Sequence, residues 1–84
     1  MDPSELDLSY PCRWDYKVIG RDEQRIRAAV AEVLGSEPHE LEASNRSAGG
    51  RYLSFRVSVE LRDDAQRTRI FAGLRDHADV VYVL

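Results

Sequence analysis

The 84-residue chain is poor in the residues that mark several classes of small protein. Its one cysteine cannot form an internal disulfide, and two histidines beside that cysteine make a poor set of metal ligands. The longest unbroken apolar run, Val80–Leu84, is far too short to cross a bilayer. These shortages argue against disulfide scaffolds, zinc modules and membrane anchors.

The chain also lacks an excess of positive charge. There are 12 basic and 15 acidic residues, so the net charge is −3, and Lys17 is the only lysine. Proteins that bind nucleic acids usually carry a positive footprint, which the totals do not show. The first basic residue, Arg13, follows an acidic segment, so we expect no secretory signal and a cytoplasmic location. We therefore expect neither nucleic acid nor membrane as a partner.

The composition of the chain, with 43% hydrophobic and 32% charged residues, is typical of one small globular domain. Residues Met1–Ser9 are acidic and are predicted to form a flexible arm, and Tyr10–Leu84 are predicted to form a single domain. So short a chain buries a modest core, and a weak homodimer is one common way to supplement its stability.

Two segments alternate apolar and polar residues, which predicts strands with one face on a core and one in water. They are Trp14–Val18 and Tyr52–Leu61, and the second has the strongest pattern in the chain. Leu41–Asn45 is a weaker, edge-strand candidate, and Val80–Leu84 is predicted to be a final short strand.

Two helices are predicted between these strands. The first spans about Asp22–Leu34, with acidic residues at its start and Gly35 as its stop. Asp63 and Asp64 mark the cap of the second, where apolar residues recur at helical spacing from Ile70 onward.

The resulting order is strand, helix, strand, strand, helix, strand, which is the split βαβ plan of ferredoxin-like folds. It predicts an α+β sandwich: a four-stranded antiparallel sheet with both helices on one face. The predicted core comprises Trp14, Tyr16, Val18, Ile26, Val30, Val33, Phe55, Val57, Val59, Ile70, Leu74 and Tyr82.

Several short motifs together resemble a known family. The opening Tyr16–Gly20 resembles the Tyr-Lys-Val-hydrophobic-Gly start of the small bacterial YbeD-like proteins, a domain-of-unknown-function family. Tyr10-Pro11 resembles their aromatic-proline lead-in, and the apolar C-terminal strand is similar too. Their Ser-x-x-Gly-x-Tyr-x-Ser hairpin is matched by Ser47, Gly50, Tyr52 and Ser54. His77 departs from the pattern, since an apolar residue would be expected there.

The resemblance implies a ferredoxin-like fold similar to ACT regulatory domains and no established activity or cofactor. It further implies a ligand near the loop between the first strand and the first helix. In this chain that loop is Gly20–Asp22, where Arg21 and the first amides of the helix would favour a small anionic ligand. Asp22 and Glu23 oppose such a ligand by charge.

A protein partner is an equal hypothesis, docking across the open face of the sheet at Lys17, Tyr52, Ser54 and Arg56. Tyrosine and arginine often anchor interfaces. Only Tyr52 is aromatic among them, which disfavours RNA binding by stacking. Ordinary solvent-facing residues on a half-exposed sheet would look the same.

An enzymatic alternative is a small hydrolase of the acylphosphatase type, which shares this fold plan and would use Arg21 and Asn45. The loop lacks the long glycine-rich run of those enzymes. We therefore predict a protein with no catalytic residues, no metal and no cofactor.

The final strand lies at an edge in this fold plan, and edge strands are open to pairing with another chain. If Val80, Tyr82 and Leu84 point inward, Val81 and Val83 lie on the open face. Apolar residues there favour cover by another chain, which predicts a weak homodimer.

Overall fold

The structure is a computed structural model, and it describes residues 9–46 and 50–84, with the backbone alone at 45 and 46. Apart from Ser9, the predicted N-terminal arm therefore lies outside the described residues. In chain order the elements are β1 (Cys12–Gly20), α1 (Glu23–Leu34), β2 (His39–Arg46), β3 (Leu53–Leu61), α2 (Asp64–Asp76) and β4 (Tyr82–Val83).

The four strands form one antiparallel sheet in the order β2-β3-β1-β4. β1 and β3 pair without interruption, from Cys12 opposite Leu61 to Gly20 opposite Leu53. β2 follows the other edge of β3, with an irregularity between Ala43 and Asn45. The predicted α+β fold is confirmed, and the strands with the strongest alternation occupy the centre.

The predicted helix caps are present. Asp22 accepts a hydrogen bond from the backbone N–H of Arg25 at 2.9 Å, and Asp63 accepts one from Gln66 at 2.8 Å. α1 ends at Gly35, whose φ of 57° favours glycine and whose N–H donates to a carbonyl of the last turn. One carboxylate at each helix start, that of Asp22 or Asp63, is therefore a cap.

The core lies between the helices and the face of the sheet that carries the apolar halves of β1 and β3. Nine of the twelve residues predicted for it are buried, and Tyr82 is exposed; Val57 and Val18 are wholly inaccessible. Trp14 and Val33 are only partly buried at the margin. The core residues are Tyr16, Val18, Ile26, Ala29, Val30, Leu34, Phe55, Val57, Val59, Leu61, Ile70, Leu74, Val80 and Val83.

The predicted orientation of the last strand is wrong. Tyr82 is 56% exposed, whereas Val83 is buried. Val83 lies opposite Val18, which points into the core, so Val83 must point there too. Val80 is also buried, but it lies in the turn before β4, where its N–H donates to the carbonyl of His77. Alternation fails here because β4 has only two residues.

Tyr16 joins the sheet to the second helix. Its side chain is buried, and its hydroxyl donates to the backbone carbonyl oxygen of Arg67 in α2 at 2.9 Å. Burial raises the pKa of the phenol to about 12. The neutral phenol is therefore the form that the fold accommodates.

Replacing Val57 by aspartate should abolish folding. Val57 is wholly buried on β3, so the new carboxylate would lie in the core without a partner. We expect loss of the cooperative thermal transition in circular dichroism. Arg56→Ser, one residue away on the exposed face, is the control and should remain folded. A folded Val57→Asp protein would contradict the position of β3.

The ionisation of Tyr16 should destabilise the protein in alkaline solution. The unfolded phenol ionises near pH 10, while the folded one stays protonated up to about 12. Its contribution to stability is therefore complete below pH 10 and is lost as the pH rises to about 12. We expect the free energy of unfolding to fall by about 2 kcal/mol over that window in urea titrations.

Tyr16→Phe is the control for this alkaline loss. It removes the hydrogen bond to the Arg67 carbonyl, so its stability at neutral pH should be lower. Its decline in alkali should nevertheless be smaller than that of the wild type. Equal declines would show that other groups cause the loss.

Candidate functional site

The predicted ligand loop Gly20–Asp22 lies against the turn that precedes β4. Together they line a shallow cavity of about 150 Å³. Its charges are balanced, because the guanidinium of Arg25 lies 4.0 Å from the carboxylate of Asp79 and Asp22 lies beside Arg21. Asp22 also caps the helix, so one of the first amides of α1 already has an acceptor. The loop therefore offers an anion little net attraction.

Gly20 is required by packing. A Cβ atom at this position would lie 2.6 Å from Cγ1 of Ile26 and 3.1 Å from the carbonyl oxygen of Asp79. The glycine thus lets the first turn of α1 and the turn before β4 close over the end of β1. Its place in the motif is explained by this close approach, with no ligand needed.

Arg21 and Tyr52 are brought together. The Arg21 guanidinium lies over the half-buried Tyr52 ring, 5.8 Å from its centroid, which is cation–π geometry. Asn45, the other residue of the hydrolase hypothesis, pairs through its backbone with Ser54 of β3. Its side chain lies outside the part of the chain that the structure describes, so the proposed pairing with Arg21 stays a hypothesis.

The other predicted residues share the open face but differ in accessibility. Lys17 of β1 lies opposite Arg56 of β3. The guanidinium of Arg56 forms an ion pair with Glu42, which raises the pKa of Arg56. Ser54 is buried, and its hydroxyl makes no hydrogen bond to any described residue. Of these three, Lys17 is the exposed side chain without an ion pair among the described residues.

One half of the open face is closed by interactions within the sheet. Arg13 of β1 forms an ion pair with Glu40 of β2, and the hydroxyl of Ser58 donates to Asp15 at 2.6 Å. With the pair of Arg56 and Glu42, these contacts join two arginines of this half to carboxylates of β2.

The other half is apolar and lacks such pairs. Ile19 of β1 lies opposite Tyr82, and Lys17 exchanges backbone hydrogen bonds with Leu84. Tyr82 is 56% exposed and Leu84 is 59% exposed. We call Lys17, Ile19, Tyr82 and Leu84 the β4 end of the open face.

Sequence reasoning identified Lys17 in this group and missed the other three. Ile19 carried a usable signal, because it is an apolar residue at a position where the β1 alternation calls for a polar one. The prediction places Tyr82 in the core, and points Leu84 inward with it, by continuing a period of two through a strand that is too short to sustain it.

A second, larger cavity of about 330 Å³ lies between the outer edge of β1 and α2. Its aromatic walls are Trp14, Tyr16 and Phe71. The guanidinium of Arg67 lies over the Trp14 ring, 5.5 Å from its centroid, and pairs with Asp64 at 3.4 Å. The contacts of Arg67 with Trp14 and Tyr16 beside this cavity join the start of α2 to β1.

The described residues contain no group of three or more histidine, cysteine or acidic side chains that could hold a metal ion. Cys12 is a free thiol and half-buried, at the start of β1. None of the helices in ranges 9–46 and 50–84 has the length and apolar character needed to span a membrane.

A family model described as "Protein of unknown function (DUF493)" matches residues 5–84. The chain belongs to this family. It is 33% identical to an uncharacterized protein of Helicobacter pylori strain J99, over 98% of this chain and 99% of the relative. It is 31% identical to a UPF0250 protein of Hahella chejuensis, over 92% of this chain and 89% of that protein. The YbeD-like resemblance is thereby confirmed.

A solved structure agrees with the fold. The solution structure of protein HP0495 from H. pylori superposes with a TM-score of 0.79 at 30% identity, covering 99% of this chain and 91% of that one. A second solution structure of HP0495 gives a TM-score of 0.67 at 31% identity, covering 99% of this chain and 96% of the other. Neither family nor structures assign an activity.

Gly20→Ala should destabilise the domain. The added methyl would overlap Ile26 and crowd the carbonyl of Asp79, so either α1 or the turn before β4 must shift. Overpacking of this kind typically costs about 1–3 kcal/mol. Chemical denaturation with no ligand present would measure the loss. An unchanged free energy of unfolding would mean that this glycine is not a packing residue.

Proposed function

We propose that this domain is a non-catalytic interaction module of the cytoplasm that binds a protein partner at the β4 end of the open face. The contrast between the two halves of that face carries the proposal. The half toward β2 is covered by its own ion pairs, whereas the half toward β4 combines exposed apolar side chains with a lysine. Apolar cores with a charged rim are common in protein interfaces.

The chemistry of this surface suggests the character of the partner. Tyr82 and Leu84 would bury apolar area, and tyrosine is among the residues that dominate interface energetics. Lys17 lies beside them and has no ion pair with a described residue. A complementary surface is therefore an apolar patch bordered by a carboxylate.

A small anionic ligand at the Gly20–Asp22 loop has weaker support. Ile26 and Asp79 occupy the space beside Gly20, and the charges around Arg21 are balanced. A regulatory role of the ACT type would need a ligand site, and the cavity that Arg21 and Asp22 line with other described residues has a volume of about 150 Å³. A protein partner thus fits the geometry better than a metabolite.

The non-catalytic assignment is favoured by the surroundings of the candidate chemical groups. Arg21 is engaged by the Tyr52 ring, and the carboxylates at both helix starts serve as caps. Acyl-phosphate hydrolysis by the purified protein is the direct assay. Hydrolysis that disappears in both Arg21→Ala and Asn45→Ala would overturn the proposal.

The binding surface is tested by partner capture followed by reconstitution. Proteins recovered on the tagged wild type would be identified by mass spectrometry, purified and titrated against the domain. Lys17→Glu and Ile19→Thr should each weaken that purified complex by at least about tenfold, because they reverse the rim charge or remove apolar contact area.

Arg27→Glu is the matched control, since it reverses an exposed cation on α1, away from the open face. It should bind as the wild type does. Equal loss in Arg27→Glu and Lys17→Glu would assign the effect to net charge and reject the surface. Full binding by Lys17→Glu and Ile19→Thr would reject it as well.

A further inference from the structure

The outer edge of β4 has main-chain groups available for pairing. Leu84 donates its N–H to the carbonyl of Lys17 at 2.9 Å and accepts from the Lys17 N–H at 3.1 Å. Because adjacent residues of a strand direct these groups to opposite sides, the N–H and C=O of Val83 point away from β1. Among the described residues β4 is the last strand on this side of the sheet, so the outward donor and acceptor of Val83 have no partner in the described part of the chain.

Two copies of this edge fit each other about a two-fold axis through Val83. In an antiparallel pair, Val83 would exchange both hydrogen bonds with Val83 of a second copy. Tyr82 would then lie opposite the second copy's Leu84, and the same contact would recur on the other side of the axis. Such non-hydrogen-bonded pairs bring side chains closest together. A two-fold interface requires this self-complementarity.

The side chains beside the axis suit this arrangement. Tyr82 and Leu84 are two of the three large hydrophobic residues that are exposed among the described residues. Continuing the rows of the sheet places Ile19 beside one end of each new contact and Lys17 beside the other. Each lysine is therefore separated from its symmetry mate by the apolar contacts, and no like charges face each other at the axis.

Exposed apolar residues concentrated on an unpaired edge usually mark a place where another chain adds. We propose that the protein forms a weak homodimer through β4, with Val83 on the two-fold axis and Tyr82 packed against Leu84 of the second copy. The two sheets would become one eight-stranded sheet. This goes beyond the proposed function, since it concerns self-association and is measured with no other protein present.

The register can be tested by exchanging an apolar contact for an ion pair. The oligomeric state would be followed by sedimentation equilibrium of the full chain up to high concentration. Tyr82→Lys and Leu84→Glu should each raise the dissociation constant at least about tenfold, because each places charges against apolar side chains. An equimolar mixture of the two should recover dimers, since Lys at 82 then faces Glu at 84.

Val81→Lys is the matched control, because Val81 is exposed like Tyr82 and Leu84 but lies beside Arg21 and Asp22 of the predicted ligand loop, outside the proposed contacts. It should self-associate like the wild type. Both test residues are more than half exposed, so their variants should melt as the wild type does in circular dichroism.

Three outcomes would reject the dimer. One is a wild type that stays monomeric over the whole concentration range. Another is a mixture of Tyr82→Lys and Leu84→Glu that associates no better than either variant alone. The third is a loss of association by Val81→Lys equal to that of Tyr82→Lys, which would indicate non-specific hydrophobic contact.

Discussion

The pairing of β1 with β3 is the constraint on which the rest of the molecule depends. The two strands match residue for residue along their whole lengths, so their apolar residues form a continuous surface on one side. Both helices pack on that surface, and Tyr16 ties the second helix to it through a main-chain hydrogen bond. A shift of one residue in this register would move the apolar side chains of the shifted strand from the core to the solvent face.

This constraint explains why so much of the fold could be predicted from sequence. In β3, Phe55, Val57 and Val59 alternate with polar residues without exception, and the period reports a regular structure of nine residues. The helix caps could be predicted equally well, because Asp22 and Asp63 accept hydrogen bonds from backbone amides only three residues away. Local patterns predict features that local interactions determine.

The features that the sequence did not predict depend on contacts between elements that are distant along the chain. β4 is two residues long, so its orientation is imposed by Val18 of the neighbouring strand and by the turn at Val80. No alternation within Val80–Leu84 could reveal that Tyr82 is exposed. The packing role of Gly20 could not be predicted, because its contacts with Ile26 and Asp79 arise only in the tertiary structure. The division of the open face arises from cross-strand pairs that a single strand does not show.

The shortness of β4 links these observations to function. At the other edge of the sheet, Glu40 and Glu42 of β2 form ion pairs with Arg13 of β1 and Arg56 of β3. β4 supplies no such partners to β1. Lys17 and Ile19 are left beside exposed apolar side chains, and the main chain of Val83 faces outward. The large exposed hydrophobic side chains of the described residues are thus concentrated where the sheet is least complete, so additional binding there meets the least competition from contacts within the domain.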